Sequence, residues 1–207
     1  MQGIDSTRKK THPLTCRRLK FKAPLTENPA SERLMSENES NIEHYLDAIK
    51  SISAVKLAEI GGSSSVLTER LIGAVDWASQ VQIHALMEFS DSTVESAFDS
   101  AVVDGGKRTS VNFELNKYEG SETEKLDAMI EAAEFDAFYI SKTNSTDSLL
   151  AVLMCCHESL RSGGVIAINQ SIGADSQFEN AISSFFDMYR ADYKAFASDE
   201  NHIFVKS

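Results

Sequence analysis

The stretch Glu59-Ile60-Gly61-Gly62-Ser63-Ser64-Ser65 joins an apolar run to a segment of helical spacing through two glycines and three serines. Glycines there permit positive φ and let the backbone approach a ligand. The N–H groups of a helix start beside them suit a carboxylate or a phosphate. Glu59, at the last turn of the apolar run, could accept hydrogen bonds from an ammonium group or order the loop. Glu88 ends the next apolar run, where an acid can grip both hydroxyls of a ribose. A glycine turn with an acid roughly 20–30 residues on is the general nucleoside pattern. On those residues alone, a tight turn with a surface glutamate fits equally well. The G-x-G-x-x-G of pyrophosphate binding is absent, since no glycine follows Gly62 until Gly73. G-K-[ST] is absent too, which argues against nicotinamide or flavin redox chemistry and against nucleotide hydrolysis.

The elements that must position these residues alternate in type. Ile42, Tyr45, Leu46 and Ile49 recur at helical spacing, with Ser40 or Asn41 as cap. A strand is expected over 54–60, followed by a helix whose stripe is Leu67, Leu71, Ile72 and Val75. Further strands are expected over 80–89, 109–115, 135–141 and 165–171. Helices should lie between them: one over 91–106 closed by Gly105-Gly106, one over "ETEKLDAMIEAAE", and one over 145–164 stopped by Gly163-Gly164. A last helix over "SQFENAISSFFDMYRAD" precedes two short strands, "YKAFAS" and "HIFVKS", with no helix between them, so these two must pair antiparallel. Alternation of this kind predicts a doubly wound α/β domain with a mostly parallel seven-stranded sheet and helices on both faces.

Composition narrows the class. At 207 residues, 42% apolar and 25% charged, the chain suits one globular domain. Cys155 and Cys156 are adjacent and read as small core residues rather than as a disulfide framework or a metal site. No run approaches the roughly 20 apolar residues of a membrane span. The net charge is −11, yet residues 1–25 carry seven basic residues against Asp5 alone, leaving −17 for the rest. Nucleic-acid binding is therefore not expected of the body, only of the tail. Residues 1–39 read as a disordered basic extension and residues 40–207 as the domain; the alternative is that the chain proper starts at Met35. A cytoplasmic location fits best, with an organelle as the alternative if the leader is a targeting segment.

Residues 41–206 resemble the class I S-adenosylmethionine-dependent methyltransferases, in particular the branch of the catechol and caffeoyl-CoA O-methyltransferases. "KLAEIGGSSSVLTERL" is similar to that family's glycine loop, L-E-I-G-x-x-x-G-x-S-T, and "VQIHALMEFS" to its ribose-binding strand. "EFDAFYIS" and "ESLRSGGVIAINQ" resemble the runs around its fourth and fifth strands. "FFDMYRADYKAFASDENHIFVKS" resembles its closing helix and strand pair, Lys206 included. The resemblance implies S-adenosylmethionine as cofactor, S-adenosylhomocysteine as product and a small-molecule methyl acceptor, and it allows a homodimer. Cofactor contacts would come from Glu59, Gly61, Gly62, Ser63, Ser65, Glu88, Phe89, Lys117 and Ser141.

Several positions depart from the family. Ser65 replaces the second loop glycine, and Asn116-Lys117-Tyr118 stands where G-D-A is usual. The magnesium-binding aspartates correspond to Ser141 and to Asn169-Gln170, which supply no negative charge for a hard cation. No metal is expected. A hydroxyl acceptor would then need a general base. Lys142, at a strand's carboxyl end, is the best placed of three candidates; His84 inside a strand and His157 within a helix read better as packed residues. Trp77 reads as helix packing or an exposed patch. An active, metal-independent O-methyltransferase is the favoured reading, and a degenerate fold kept as a binding or assembly module is its rival.

Overall fold

The computed structural model describes residues 41–61, 66–86, 99–100, 102–104, 106, 111–118, 121–132, 134–143, 145–169, 172, 175–196 and 202–207. The extension at 1–39 therefore lies outside the described residues.

Seven strands form one sheet: β1 (Lys56–Ile60), β2 (Gln80–Leu86), β3 (Asn112–Lys117), β4 (Phe135–Ile140), β5 (Leu160–Ile168), β6 (Tyr193–Ala195) and β7 (Ile203–Lys206). Their order is β3-β2-β1-β4-β5-β7-β6. The first five are parallel, and β7 pairs antiparallel with both β5 and β6. This is the mostly parallel, doubly wound sheet that the alternation of elements predicts.

Five helices are described along the chain: α1 (41–51), α2 (Val66–Ala74), α3 (Glu122–Ala132), α4 (Thr146–Ser159) and α5 (Ser176–Met188). Residues 99–100 and 102–104, within the helix expected over 91–106, are helical as well. Side chains alternate across the pleat, so each strand feeds two cores. Leu57, Ile83, Ala137, Tyr139 and Val165 pack with Ile42, Tyr45 and Ile49 of α1 and Leu67, Leu71 and Ile72 of α2. Ala58, Leu86, Phe138, Ile140 and Ile166 pack with Met129 of α3, Leu149, Val152 and Leu153 of α4, and Phe185 of α5. Helices thus cover both faces, and the apolar stripes read along α1 and α2 are the buried ones.

Three of the departures from the expected boundaries bear on the sheet and the site. β3 starts and ends later than 109–115, because its pairing with β2 runs from Gln80↔Asn112 to Ala85↔Lys117. α4 stops at Ser159, not at the glycines; Leu160 is already extended and pairs with Phe135. Gly163, at φ 77°, falls inside β5 beside a register shift between Phe135 and Ala137. The third concerns Asn41, which is helical rather than a cap and fully buried. Its amide donates to the Ile168 carbonyl at 3.4 Å and accepts from the Tyr139 hydroxyl at 3.1 Å.

At the amino end of the sheet Asp136 acts as a clasp. Its carboxylate accepts from the Val55 and Lys56 N–H groups at 2.7 and 2.8 Å and pairs with Arg161. Lys206 donates to the His157 and Leu160 carbonyls at the end of α4, a cation at the negative helix terminus. Both devices are remote from the carboxyl rim, which they leave to other residues.

Candidate functional site

The sheet order reverses between β1 and β4, so the carboxyl ends of these two strands flank the crevice where open α/β sheets bind ligands. A row of backbone hydrogen bonds knits that rim. Gly61 N–H donates to Leu86 O at 3.0 Å, Ser141 N–H to Ile60 O at 2.8 Å, and Asn169 N–H to Ile140 O at 2.9 Å. Ile168 N–H donates to His202 O at 3.0 Å and extends the row onto β7.

Gly61 has φ 77°, and a Cβ built on it would overlap the backbone carbonyl of Lys142. Two constraints therefore demand glycine at this corner: a left-handed backbone and direct contact of the loop with the segment after β4. Lys142 meets the loop through its main chain, while its side chain is exposed.

Glu59 stands one turn before this corner and is only 5% exposed. Its two carboxyl oxygens accept from Ser141 Oγ at 3.2 Å and Thr68 Oγ1 at 3.3 Å. The acid thus ties β1 to the end of β4 and to the second core helix. Burial raises its pKa to about 8, against the lowering effect of the Ser141 and Thr68 hydrogen bonds. Tyr45 and Tyr139, tilted against each other with ring centroids 5.1 Å apart, lie on the same face. Burial and then the Glu59 charge push both phenols up. Thr68, Tyr45, Tyr139 and Asn41 form the polar surround that sequence reasoning missed. Thr68, Tyr45 and Tyr139 read as ordinary core or helix residues and Asn41 as a helix cap, and only Thr68, nine positions after Glu59, was locally within reach.

Solved structures share this fold. The O-methyltransferase TomG of Streptomyces achromogenes, involved in tomaymycin synthesis and determined with SAM, superposes with a TM-score of 0.56 at 14% identity, over 87% of this chain and 91% of that one. An O-methyltransferase of Bacillus cereus in complex with SAH gives 0.55 at 15% identity, over 89% and 93%. A methyltransferase of Geobacter sulfurreducens gives 0.54 at 12%, over 87% and 88%. The chain has the class I methyltransferase fold. No protein-family model and no curated protein matches the sequence, so the likeness is one of structure.

Within this methyltransferase fold the remaining expected site residues fall into two groups. Gly62, Ser63, Ser65, Glu88, Phe89 and Gln170 lie outside the described residues. Lys117, at the end of β3, pairs with Asp99 at 2.7 Å. Ser141 spends its hydroxyl on Glu59. Among the described residues no cluster of three or more His, Cys, Asp or Glu could hold a metal ion, and no helix is long and apolar enough to cross a membrane.

The two other base candidates are packed side chains. His157 packs on Tyr189 with ring centroids 4.1 Å apart and shares a 3.2 Å hydrogen bond with the Tyr193 hydroxyl. His84 shares a 2.6 Å hydrogen bond with Tyr118 and meets Phe135 edge-on at 4.9 Å. Its burial, aided by Lys56 and opposed by Glu114, lowers its pKa to about 4 from 6.5. The unfolded chain therefore binds a proton that the folded chain refuses, and stability falls as pH drops from 6.5 toward 4. The expected observation is a neutral His84 imidazole at pH 5 in a carbon-detected NMR titration. A cationic ring at that pH would show that the pocket does not exclude charge.

Proposed function

We propose that this chain is an S-adenosylmethionine-dependent methyltransferase that transfers methyl to the oxygen of a small molecule without a metal ion. Residues 40–207 are its single domain, with the basic 1–39 extension outside it. The observation that carries the reading is Gly61, held left-handed against the Lys142 carbonyl at the β1/β4 switch point. This happens in a fold of which two solved examples, from Streptomyces achromogenes and Bacillus cereus, hold SAM and SAH.

Residues at that corner suit the cofactor's chemistry. Glu59, Gly61, Gly62, Ser63, Ser65 and Ser141 would take its amino-acid end, and Glu88, Phe89 and Lys117 its nucleoside. The methyl donor carries the leaving-group energetics, so binding and alignment are most of what the protein must supply. Metal independence is supported by Ser141, Asn169 and Gln170, which offer a hard cation no charge. Lys142, exposed at the rim, is the base that the sequence offers there.

One observation favours the rival reading of a non-catalytic binding module. Both oxygens of Glu59 and the Lys117 ammonium already have partners within the chain. Calorimetric titration with S-adenosylmethionine and S-adenosylhomocysteine, with and without magnesium, separates the two. Micromolar binding indifferent to magnesium is the expected result. Absence of heat and of thermal shift at millimolar cofactor would leave the fold without its chemistry and favour the module.

A further inference from the structure

A second constellation sits on the same rim, three strands from Gly61. Ile60, Ile140 and Ile168 stand abreast in register across β1, β4 and β5. Since Ala167 pairs with Ile203, His202 is the next member of that row, and its carbonyl accepts from Ile168 N–H at 3.0 Å. Three strand spacings put it roughly 14 Å from the glycine corner. His202 is held at φ 45°, a left-handed backbone that a histidine adopts at a cost. Its ring is turned onto Glu179, in the first turn of α5, with Nε2 3.5 Å from Oε2. Among the described residues Glu179 Oε2 is buried and makes no hydrogen bond. The imidazole side chain is 15% exposed, so part of it is open to solvent while Nε2 faces Glu179.

The place of this pair is informative. If the nucleoside of the cofactor lies over β2, toward Glu88, and its amino-acid end over β1 and β4, the transferable methyl faces β5 and β7. A methyl acceptor must then lie between the glycine corner and His202. We propose that His202, positioned by Glu179, takes the proton from the acceptor's hydroxyl. This rests on the methyltransferase reading and gives it a base other than Lys142. The Glu179 carboxylate faces Nε2 at 3.5 Å, which makes Nδ1 the ring nitrogen left for the substrate. As the acceptor oxygen bonds to the methyl carbon, the C–S electron pair stays on sulfur and the hydroxyl proton passes to Nδ1. At 3.5 Å the two atoms face each other without a hydrogen bond. Glu179 is a positioning residue, since it acts only through the ring.

The test uses the full chain, two variants at position 202 and one at 179. Phenol and 4-nitrophenol, the latter largely ionised at mildly alkaline pH, are the acceptor probes. His202→Asn tolerates positive φ and should bind S-adenosylhomocysteine as the parent does. It should lose about 10²–10⁴-fold in turnover on phenol, the usual span of general-base catalysis, and only a few-fold on 4-nitrophenol, which has no proton to give up. Glu179→Gln should show a smaller loss with the same selectivity. His202→Gly should melt higher than the parent while sharing the phenol defect, because glycine relieves the backbone cost. Equal losses on both phenols, or a lower melting temperature for His202→Gly, would overturn the assignment in favour of a structural pair. A parent that binds S-adenosylhomocysteine but methylates neither phenol would overturn it too. A parent that binds no cofactor would sink the methyltransferase reading itself.

Discussion

Replacing Gly61 with alanine should destabilise the protein by about 2–5 kcal/mol, from about 1–2 for an L-residue in left-handed backbone and a further 1–3 for overpacking. The overlap is with the Lys142 main-chain carbonyl, which cannot move aside as a side-chain tip would. Relief must come from parting Ile60 and Ser141, whose 2.8 Å hydrogen bond closes the β1/β4 junction. Loop and rim are therefore lost together, and affinity for S-adenosylhomocysteine should fall with stability. Gly73 is the control. It lies exposed in α2 with nothing within 4 Å of a built Cβ, so Gly73→Ala should gain roughly 0.5–1 kcal/mol from helix propensity. Urea unfolding of the two variants beside the parent measures both signs. If Gly61→Ala unfolds at the parent's midpoint, the corner is not built as described.

The contrast between these glycines shows what a sequence can and cannot say about this site. Gly61 was legible because it follows an apolar run and precedes a helical stripe, a local pattern of a few residues. The existence of the strands and their succession along the chain were legible for the same reason: β1, β2, β4 and β5 are short apolar runs between helices. Where local pattern competes with long-range pairing, the reading slips. Gly163-Gly164 look like a helix stop, yet the contacts of Leu160 with Phe135 and Arg161 with Asp136 draw that segment into β5. Glu59 was legible as an acid at a strand end. Its partners were not, because Ser141 lies 82 residues away and reaches it only through the adjacency of β1 and β4. His202 went unnoticed on both counts: its partner is in another element, and its backbone conformation leaves no mark in the residue order.

The largest pH effect should come from Glu59. Its pKa is about 8 in the fold against 4.5 unperturbed, because burial outweighs the two hydroxyl hydrogen bonds. Between those values the unfolded chain has released a proton that the folded chain keeps. Stability must then fall as pH rises from about 4.5 through about 8. Each tenfold change in proton affinity is worth about 1.4 kcal/mol, so the loss by mildly alkaline pH is on the order of 5 kcal/mol. Glu59→Gln keeps the shape and can still bond Ser141 and Thr68, so its stability should be nearly flat over that range and exceed the parent's at its upper end. Urea midpoints at pH 5, 7 and 8.5 test this, and parallel curves for the two proteins would refute a buried neutral acid. The same group separates the two functional readings. A cofactor ammonium drawn up to Glu59 would favour the carboxylate, so binding near pH 7 should expel a proton. Titration heats in buffers of different ionisation enthalpy would then differ for the parent and coincide for Glu59→Gln. Binding that expels no proton from the parent would confine Glu59 to its role as the tie between β1, α2 and the end of β4.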